Sequence, residues 1–416
     1  MKQKKEFLKE LKNRGILNNI SSEEKFLNLK NFEGIYAGFD PTAISLHLGN
    51  YIQICTLKRF QNIGIKILAI VGGATGMIGD PSFKSKERVL LDQAKLLENK
   101  NAIIKQLQKF NLKVFDNLEI YKDMNVLDFL RDVGKNVNIS YMLAKESIAN
   151  RIDKGLSFTE FSYQLIQSWD FCYLYKHFDI KGQLGGSDQW GNITSGIEMI
   201  KKNYGEESNS FAITTNLLTD KNNVKFGKST GGGSLWLDPK LTSPFMLYQF
   251  LVNQEDLEVE KLLKYLTFLS LDEISNIMFR HDEQKKLKIA QKTLAFEVVK
   301  DIHGAQEANN AIKISDILFN NQDFSLLTTN DLAQLENAIP CFSATMNENL
   351  SDFLIKHKIV VSKREMREFI EKNALKFNNS NITTENNVLL NKEFDGKYSL
   401  IKKGKKNYYL VKFLEK

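Results

Sequence analysis

Two short segments of the chain carry side chains that could bind phosphate. The first, residues 41–50, reads PTAISLHLGN and puts His47 where a helix is predicted to begin. An imidazole and the free N–H groups of a helix N-terminus can together meet phosphate oxygens. The second, residues 225–229, reads KFGKS and lies between sequences rich in Asn and Gly. Its two ammonium groups, on Lys225 and Lys228, could stabilise the charge of a leaving phosphate group.

The second segment is not a P-loop, because Asn222 stands where a P-loop needs its first glycine, five positions before Gly227. The glycine-rich loop that begins at Gly72 is not one either, because it lacks the following lysine. Taken alone, His47 could equally cap or pack against its helix, and the two lysines could belong to a solvated charged surface. Their occurrence in one chain favours a nucleotide site instead.

The two segments resemble the HIGH and KMSKS elements that bind ATP in class I aminoacyl-tRNA synthetases. Residues 36–40 read YAGFD, residues 72–81 read GGATGMIGDP and residues 183–192 read QLGGSDQWGN. With these, nearly the whole chain resembles the bacterial tyrosyl-tRNA synthetases. The resemblance implies a ligase that activates L-tyrosine with ATP to tyrosyl-adenylate and transfers tyrosine to the 3′ end of tRNA(Tyr). It also implies Mg²⁺ carried by the ATP phosphates, with no metal ligands from the protein.

The resemblance further implies which residues act on ATP. Catalysis by positioning and charge stabilisation is assigned to Thr42, His47, Lys84, Arg88, Lys225 and Lys228. ATP binding is assigned to Gly38, Asp40, His47, Gly49, Asn50, Gly186, Asp188, Lys225, Lys228 and Ser229. Asn50 departs from the family, which usually has a second histidine there. Its amide can still hydrogen-bond a ribose or phosphate oxygen, but it cannot be protonated.

By the same resemblance, tyrosine is bound by Tyr36, Asp80, Tyr163, Gln167, Asp170 and Gln189. Tyr36 and Asp170 are expected to hold the phenol hydroxyl, which selects tyrosine over phenylalanine; tyrosyl-tRNA synthetases are themselves the best-known case of this kind of selection. Independently of the family, positions 163, 167 and 170 share one face of a predicted helix. A tryptophanyl enzyme is the nearest alternative, and Tyr36 together with Asp170 argues against it.

The elements predicted around these residues belong to an α/β fold with a Rossmann-like parallel sheet. A strand at 35–39, a helix at 46–61 and a strand at 65–71 form a strand–helix–strand unit. A further strand at 180–184 precedes the loop at 185–188, and loops after the carboxyl ends of parallel strands bind ligands in such folds. Residues 1–30 are predicted to be helical.

Four segments follow one another in the predicted organisation. A Rossmann-like catalytic domain (1–230) precedes a helical tRNA domain on the anticodon side (231–330), a linker (331–349) and an α+β domain resembling the S4 RNA-binding fold (350–416). In the last domain two helical segments, the second with Ser362 as N-cap, precede short strands. Asn373 and Ala374 stand where the family usually has glycines before a strand.

The excess positive charge lies in the last part of the chain. The whole chain has a net charge of +7, and residues 350–416 alone carry that excess, with 15 Lys and Arg against 8 Asp and Glu. A basic module on a neutral body predicts a polyanion partner, most simply tRNA. The predicted RNA contacts, the last four of them in a loop, are Lys363, Arg364, Arg367, Lys402, Lys403, Lys405 and Lys406.

The composition of the chain bears on metal binding, on the cellular compartment and on membrane partners. The 416 residues include three widely spaced cysteines and no C-x-x-C pair, which argues against structural zinc and fits a reducing cytoplasm. No apolar stretch approaches the length of a membrane helix, so no membrane partner is expected. The resemblance implies a homodimer with a helix at 126–133 near the contact. An RNA-binding or splicing factor built on a synthetase scaffold is the alternative of a different class.

Overall fold

The structure is a computed structural model that describes residues 1–79, 91–143, 152, 155–219, 226, 234–320, 322–378, 380–382, 394–405 and 407–414. The chain forms two compact units. Unit 1 consists of Met1–Leu237 with Glu260–Ile277, and unit 2 of Asp238–Val259 with Met278–Lys416. Within the described ranges, no helix combines the length and the apolar character that crossing a membrane requires.

A mostly parallel sheet forms the centre of unit 1. Its described strands are β1 (Leu17–Ile20), β2 (Gly34–Phe39), β3 (Lys66–Val71), β4 (Val114–Asp116), β5 (Ile180–Gly186) and β6 (Phe211–Thr215). They are arranged in the order β1–β6–β5–β2–β3–β4. The edge strand β1 runs antiparallel to β6, whereas the other neighbours are parallel. In the register, Tyr36 of β2 lies opposite Leu68 of β3 and Gln183 of β5.

Helices cover this sheet, and their apolar faces complete the core. Those of the first part of the chain are α1 (Lys2–Asn13), α2 (Glu23–Leu27), α3 (Leu48–Asn62), α4 (Thr75–Ile78), α5 (Gln93–Lys109), α6 (Leu118–Tyr121), α7 (Val126–Asp132), α8 (Ile139–Leu143), α9 (Phe158–His177) and α10 (Trp190–Tyr204). Phe171 of α9 and Ile193 of α10 are buried in one core cluster with Tyr36 and Leu68 of the sheet. Ser157 caps α9, because its side chain accepts a hydrogen bond from the backbone N–H of Glu160.

The predicted strand–helix–strand unit is confirmed by β2, α3 and β3, and the predicted strand at 180–184 by β5. The prediction that residues 1–30 are all helical is wrong, since β1 lies between α1 and α2. This strand reads Leu-Asn-Asn-Ile and lacks apolar alternation, so its conformation depends on pairing with β6.

Unit 2 combines a helical region with a small sheet. From residue 244 onward the helices are α11 (Pro244–Val252), α12 (Asp256–Leu266), α13 (Leu271–Glu283), α14 (Ile289–His303), α15 (Ala305–Phe319), α16 (Thr329–Ala333), α17 (Leu350–Lys356) and α18 (Lys363–Glu371). Of these, α12 and α13 are divided between the two units, because Glu260–Ile277 belongs to unit 1. The strands are β7 (Cys341–Ala344), β8 (Leu375–Phe377), β9 (Ser380–Asn381), β10 (Tyr398–Lys403) and β11 (Asn407–Phe413), in the order β7–β11–β10–β8–β9. The predicted α/β class with helical and α+β parts is confirmed.

The departures from the family pattern in the last domain have a local explanation. Ser362 caps α18 as predicted, accepting a hydrogen bond from the N–H of Glu365. Asn373 follows that helix with φ of 50°, a left-handed conformation that Asn tolerates better than most residues other than glycine. The stretch 331–349, expected to be a linker, contains β7, which pairs in parallel with β11 and so contributes a strand to the sheet.

Candidate active site

A cavity of about 360 Å³ lies at the carboxyl ends of the parallel strands of unit 1. The segments at and just after the ends of β2, β3, β5 and β6 all line it. All the site residues predicted for tyrosine or ATP that the structure describes line this cavity: Tyr36, Gly38, Asp40, Thr42, His47, Gly49, Asn50, Tyr163, Gln167, Asp170, Gly186, Asp188 and Gln189. Their roles stay predictions, but the structure brings them together.

The remaining predicted residues of the nucleotide and tyrosine sites are outside the described residues: Asp80, Lys84, Arg88, Lys225, Lys228 and Ser229. Phe226 is the one described residue of segment 225–229, which is predicted to bind phosphate. It lines the same cavity, and its backbone N–H donates to the carbonyl oxygen of Leu218 at 2.8 Å. At this residue, therefore, the second segment reaches the cavity that the first one lines.

A buried carboxylate closes one end of the cavity. Asp170 is only 3% exposed. Its Oδ2 accepts a hydrogen bond from Asn117 Nδ2 at 2.9 Å, and its Oδ1 accepts one from the hydroxyl of Tyr121 at 2.7 Å. Burial raises the pKa of Asp170 to about 7, against the lowering effect of these two hydrogen bonds. The carboxyl group is thus poised between its charged and neutral forms near neutral pH.

The hydroxyl of Tyr36 lies in the same buried region. The residue is 2% exposed, and its ring packs against Phe171 with the ring centroids 5.4 Å apart. Within the described residues, its hydroxyl oxygen is buried and has no hydrogen-bond partner. Burial, and secondly the charge of Asp170, raises the pKa of Tyr36 well above its usual value, so the hydroxyl stays protonated. A neutral hydroxyl and a carboxylate together can bind a third hydroxyl.

One face of α9 supplies three of the polar groups of the cavity. Tyr163, Gln167 and Asp170 all line it, as the helical spacing predicted. The hydroxyl of Tyr163 donates to Asp40 Oδ2 at 2.9 Å, and the hydroxyl of Thr75 donates to Asp40 Oδ1 at 2.8 Å. Asp40 therefore links the α9 face to the loop after β2.

His47 is the N-cap residue of α3, where the sequence places it. Its backbone N–H donates to Asn50 Oδ1 at 3.1 Å, so Asn50 helps to fix the start of the helix while it lines the cavity. Gly49 is required by the histidine itself, because a Cβ there would lie 2.8 Å from His47 Cε1. The same Cβ would be 3.5 Å from the carbonyl oxygen of Phe226. The imidazole thus needs a glycine beside it to keep its position.

Sequence reasoning missed the residues that hold the polar groups of the cavity. Asn117 is fully buried, and its Oδ1 also accepts a hydrogen bond from the N–H of Ala74 at 2.7 Å. It follows directly after β4, so its place at the carboxyl end of a parallel strand was a usable signal. Tyr121 and Thr75 had no comparable signal, since their partners are far away in the sequence.

The basic residues predicted to contact RNA differ in how available they are. Among these predicted contacts, the side chains that are exposed are those of Lys363, Arg364, Arg367 and Lys405. Lys406 is outside the described residues. Lys402 and Lys403 lie in strand β10 rather than in a loop. Lys402 is only 8% exposed, and Lys403 Nζ forms an ion pair with Glu365 Oε1 at 2.8 Å. Of the predicted RNA contacts that the structure describes, the exposed ones therefore lie mainly on α18.

Comparison with known proteins finds matches along nearly the whole chain. The family model of the class I tRNA synthetases (W and Y) matches residues 30–320, and the model of the tyrosine–tRNA ligase SYY-like C-terminal domain matches residues 331–411. The tyrosine–tRNA ligase of Mycoplasmopsis synoviae is 55% identical over 97% of this chain and 98% of its own length. That of Ureaplasma parvum is 48% identical over 97% of this chain and 98% of its own length.

Solved structures align with about three quarters of the chain. A C-terminally truncated mitochondrial tyrosyl-tRNA synthetase of Aspergillus nidulans aligns with a TM-score of 0.67 and 32% identity, over 75% of this chain and 94% of that one. A tryptophanyl-tRNA synthetase of Encephalitozoon cuniculi, bound to tryptophan, aligns with a TM-score of 0.55 over 74% of this chain and 91% of that one. At 14% identity, this second likeness concerns the fold alone.

Proposed function

The chain belongs to the class I tRNA synthetases of the tryptophan and tyrosine family and, within it, to the tyrosine–tRNA ligases, and we propose that it activates L-tyrosine in the cavity of unit 1. A carboxylate oxygen of tyrosine attacks the α-phosphorus of ATP. The bond from that phosphorus to the bridging oxygen breaks, and pyrophosphate leaves with the bonding electrons. A ribose hydroxyl at the 3′ end of tRNA(Tyr) then attacks the tyrosyl carbonyl carbon, releasing AMP and the hydroxyl proton.

The buried end of the cavity carries this proposal. Asp170 and the hydroxyl of Tyr36 offer one acceptor and one group that can donate or accept, and both residues are almost fully buried. The phenol hydroxyl of tyrosine can donate to Asp170 and accept from Tyr36. Phenylalanine would leave both protein groups unpaired, and that penalty supplies the selectivity.

The middle of the cavity would hold the reacting end of the amino acid. Tyr163 and Gln167 lie on the same helix face as Asp170, about two turns and one turn nearer the helix start respectively, so they suit the α-ammonium group. Gln189 suits the carboxylate region. Asp80, assigned to the ammonium group by the family resemblance, completes this set as a prediction.

The nucleotide would lie along the loop after β2 and the start of α3. Thr42 and His47 would stabilise the phosphates, together with the predicted Lys84, Arg88, Lys225 and Lys228. Ribose contacts are assigned to Gly38, Asp40, Gly186 and Asp188. Both oxygens of Asp40 accept hydrogen bonds within the protein, and Mg²⁺ is proposed to be bound by the ATP phosphates, as the family resemblance implies. Such an ion would neutralise part of the phosphate charge.

Unit 2 is proposed to bind tRNA(Tyr), with α18 presenting Lys363, Arg364 and Arg367 to its phosphates.

A homodimer is proposed through α7, whose Val126 and Leu127 are 69% and 72% exposed. Domain boundaries near 230 and 330 are part of this proposal, and β7 is assigned to the last domain because it pairs with β11 there. A cytoplasmic location is also part of this proposal, and it suits the free cysteines of the chain.

Tyrosine-dependent ATP–pyrophosphate exchange tests the proposed function, with phenylalanine and tryptophan in parallel. The wild type should exchange with tyrosine only, and Asp170→Asn should lose that exchange. Asp92→Asn is the matched control, because Asp92 is an exposed N-cap of α5 and Asn caps equally well. Exchange with tryptophan would move the assignment to the other branch of the family. No exchange with any amino acid, in a folded chain that binds tRNA, would favour an RNA-binding factor.

A further inference from the structure

Tyr121, the last residue of the short helix α6, contacts Asp170 without lining the cavity itself. Its side chain is not part of the cavity wall, but its hydroxyl oxygen lies 2.7 Å from Asp170 Oδ1 and 2.8 Å from the carbonyl oxygen of Ile166. The single hydroxyl hydrogen can be donated to one of these two acceptors at a time. A carboxylate is the stronger acceptor, so the hydrogen is directed to Asp170 whenever that group is charged.

We propose that Tyr121 is a positioning residue for tyrosine recognition, whose hydroxyl holds Asp170 as a correctly oriented carboxylate that accepts the phenol hydroxyl of the substrate. The inference rests on the proposed function of the cavity. It gives Tyr121 a role that involves no contact with tyrosine or ATP. It also distinguishes two contributions at the phenol end, one from Asp170 itself and one from the group that keeps Asp170 charged.

The surroundings of Asp170 explain why its charge has to be supported. Burial opposes ionisation, and the negative charges of Asp40 and Asp116 oppose it further. Asp116 is itself paired with Lys100 at 2.7 Å, which offsets part of its effect. The groups that favour the charged form are the donors Asn117 and Tyr121.

The protonation state of Asp170 decides whether it can do what the proposal asks. A charged Asp170 has lone pairs left on both oxygens after binding Asn117 and Tyr121, so it can accept from the substrate phenol. A protonated Asp170 carries a hydrogen of its own, has less acceptor capacity and is a weaker partner. Loss of the Tyr121 hydroxyl should therefore raise the pH at which the site becomes competent.

The test compares Tyr121→Phe with the wild type by measuring KM and kcat for tyrosine in ATP–pyrophosphate exchange across pH. The expected result is an upward shift of the pH profile of KM by about one to two pH units, the size expected for one hydrogen bond to a charged group. At neutral pH this corresponds to a KM roughly 5- to 50-fold above wild type, with kcat at saturating tyrosine within about 2-fold. Raising the pH should restore the wild-type KM.

A purely structural role would lower activity at every pH, so the shift itself is the diagnostic reading. Tyr175→Phe is the matched control, because it removes a hydroxyl on α9 that donates to Asn209 Oδ1 at 2.9 Å, away from the cavity. Phe keeps the ring contact of Tyr121 with Phe129, and Tyr121→Met removes the same hydroxyl with different packing if the first variant unfolds.

The outcomes separate this inference from the function on which it rests. Profiles of both Tyr121 variants that superimpose on the wild type would overturn the inference and leave the proposed function intact. A shift as large in Tyr175→Phe would also overturn it, because the effect would then be unspecific. A folded wild type without tyrosine-dependent exchange would overturn the proposed function, and the inference with it.

Discussion

Replacement of Tyr36 by Phe should weaken tyrosine recognition and at the same time leave the free protein as stable as the wild type or more so. The hydroxyl of Tyr36 is buried and, within the described residues, has no hydrogen-bond partner. A buried polar group without a partner costs about 1–3 kcal/mol of folding free energy. Its removal relieves that cost, and Phe retains the packing against Phe171.

The two expected effects have opposite signs and separate magnitudes. The free energy of unfolding of the ligand-free protein should be unchanged or higher by up to ~1 kcal/mol, the lower end of that range. A neutral hydrogen bond contributes about 0.5–1.5 kcal/mol, so KM for tyrosine should rise roughly 2- to 13-fold. KM for phenylalanine should stay the same, because phenylalanine makes no such bond. The ratio of kcat/KM for the two amino acids should therefore fall by that factor.

Thermal unfolding without ligands and exchange kinetics with both amino acids measure the two effects. Tyr163→Phe is the informative comparison, since its hydroxyl donates to Asp40 and its loss should reduce stability by ~1 kcal/mol. A Tyr36→Phe variant that is clearly less stable than wild type would refute the argument from the unpaired hydroxyl. An unchanged preference for tyrosine over phenylalanine would refute the phenol contact of Tyr36.

Three further predictions concern the pH response, the RNA surface and the assembly. KM for tyrosine should rise as pH falls through about 7, because burial raises the pKa of Asp170 from 3.8 to about 7. Between pH 3.8 and pH 7 the folded state holds a proton on Asp170 that the unfolded state has lost, so the free energy of unfolding should decline as pH rises through this range, which pH-dependent denaturation measures. Arg364→Gln should weaken tRNA binding and reduce its salt dependence without affecting tyrosine-dependent exchange, as filter binding at several salt concentrations would show. Leu127→Asp on the exposed face of α7 should shift the protein to monomers in sedimentation experiments, whereas an unchanged mass would exclude this face from a dimer contact.

The family, the enzyme class and the central α/β unit could all be predicted from the sequence, and all three predictions are confirmed. These inferences rest on local signals: apolar periodicity for β2, α3 and β3, and helical spacing for the cavity face of α9. Edge strand β1 escaped prediction because its pairing with β6, and not its own composition, determines its structure.

The supporting residues of the site could not be predicted in the same way. Asn117 and Tyr121 are separated from Asp170 by 53 and 49 positions in the sequence, so their hydrogen bonds depend on how the chain folds back. The burial of Lys402 in β10 is likewise a property of the sheet around it. A lysine in a charged run is by itself indistinguishable from an exposed one.

The two ends of the cavity differ in the physical problem that each must solve. At the proposed phenol end, Asp170 and Tyr36 are almost fully buried, and in our proposal selectivity arises because an analogue without a hydroxyl cannot satisfy them. At the proposed nucleotide end, His47 and Asp188 are partly exposed, as would suit groups that meet a highly charged ligand entering from water. Asp40 connects the two, since it holds the hydroxyl of Tyr163 while it lines the nucleotide side. A change at Tyr163 should therefore reach both substrates, whereas a change at Tyr121 should reach tyrosine alone.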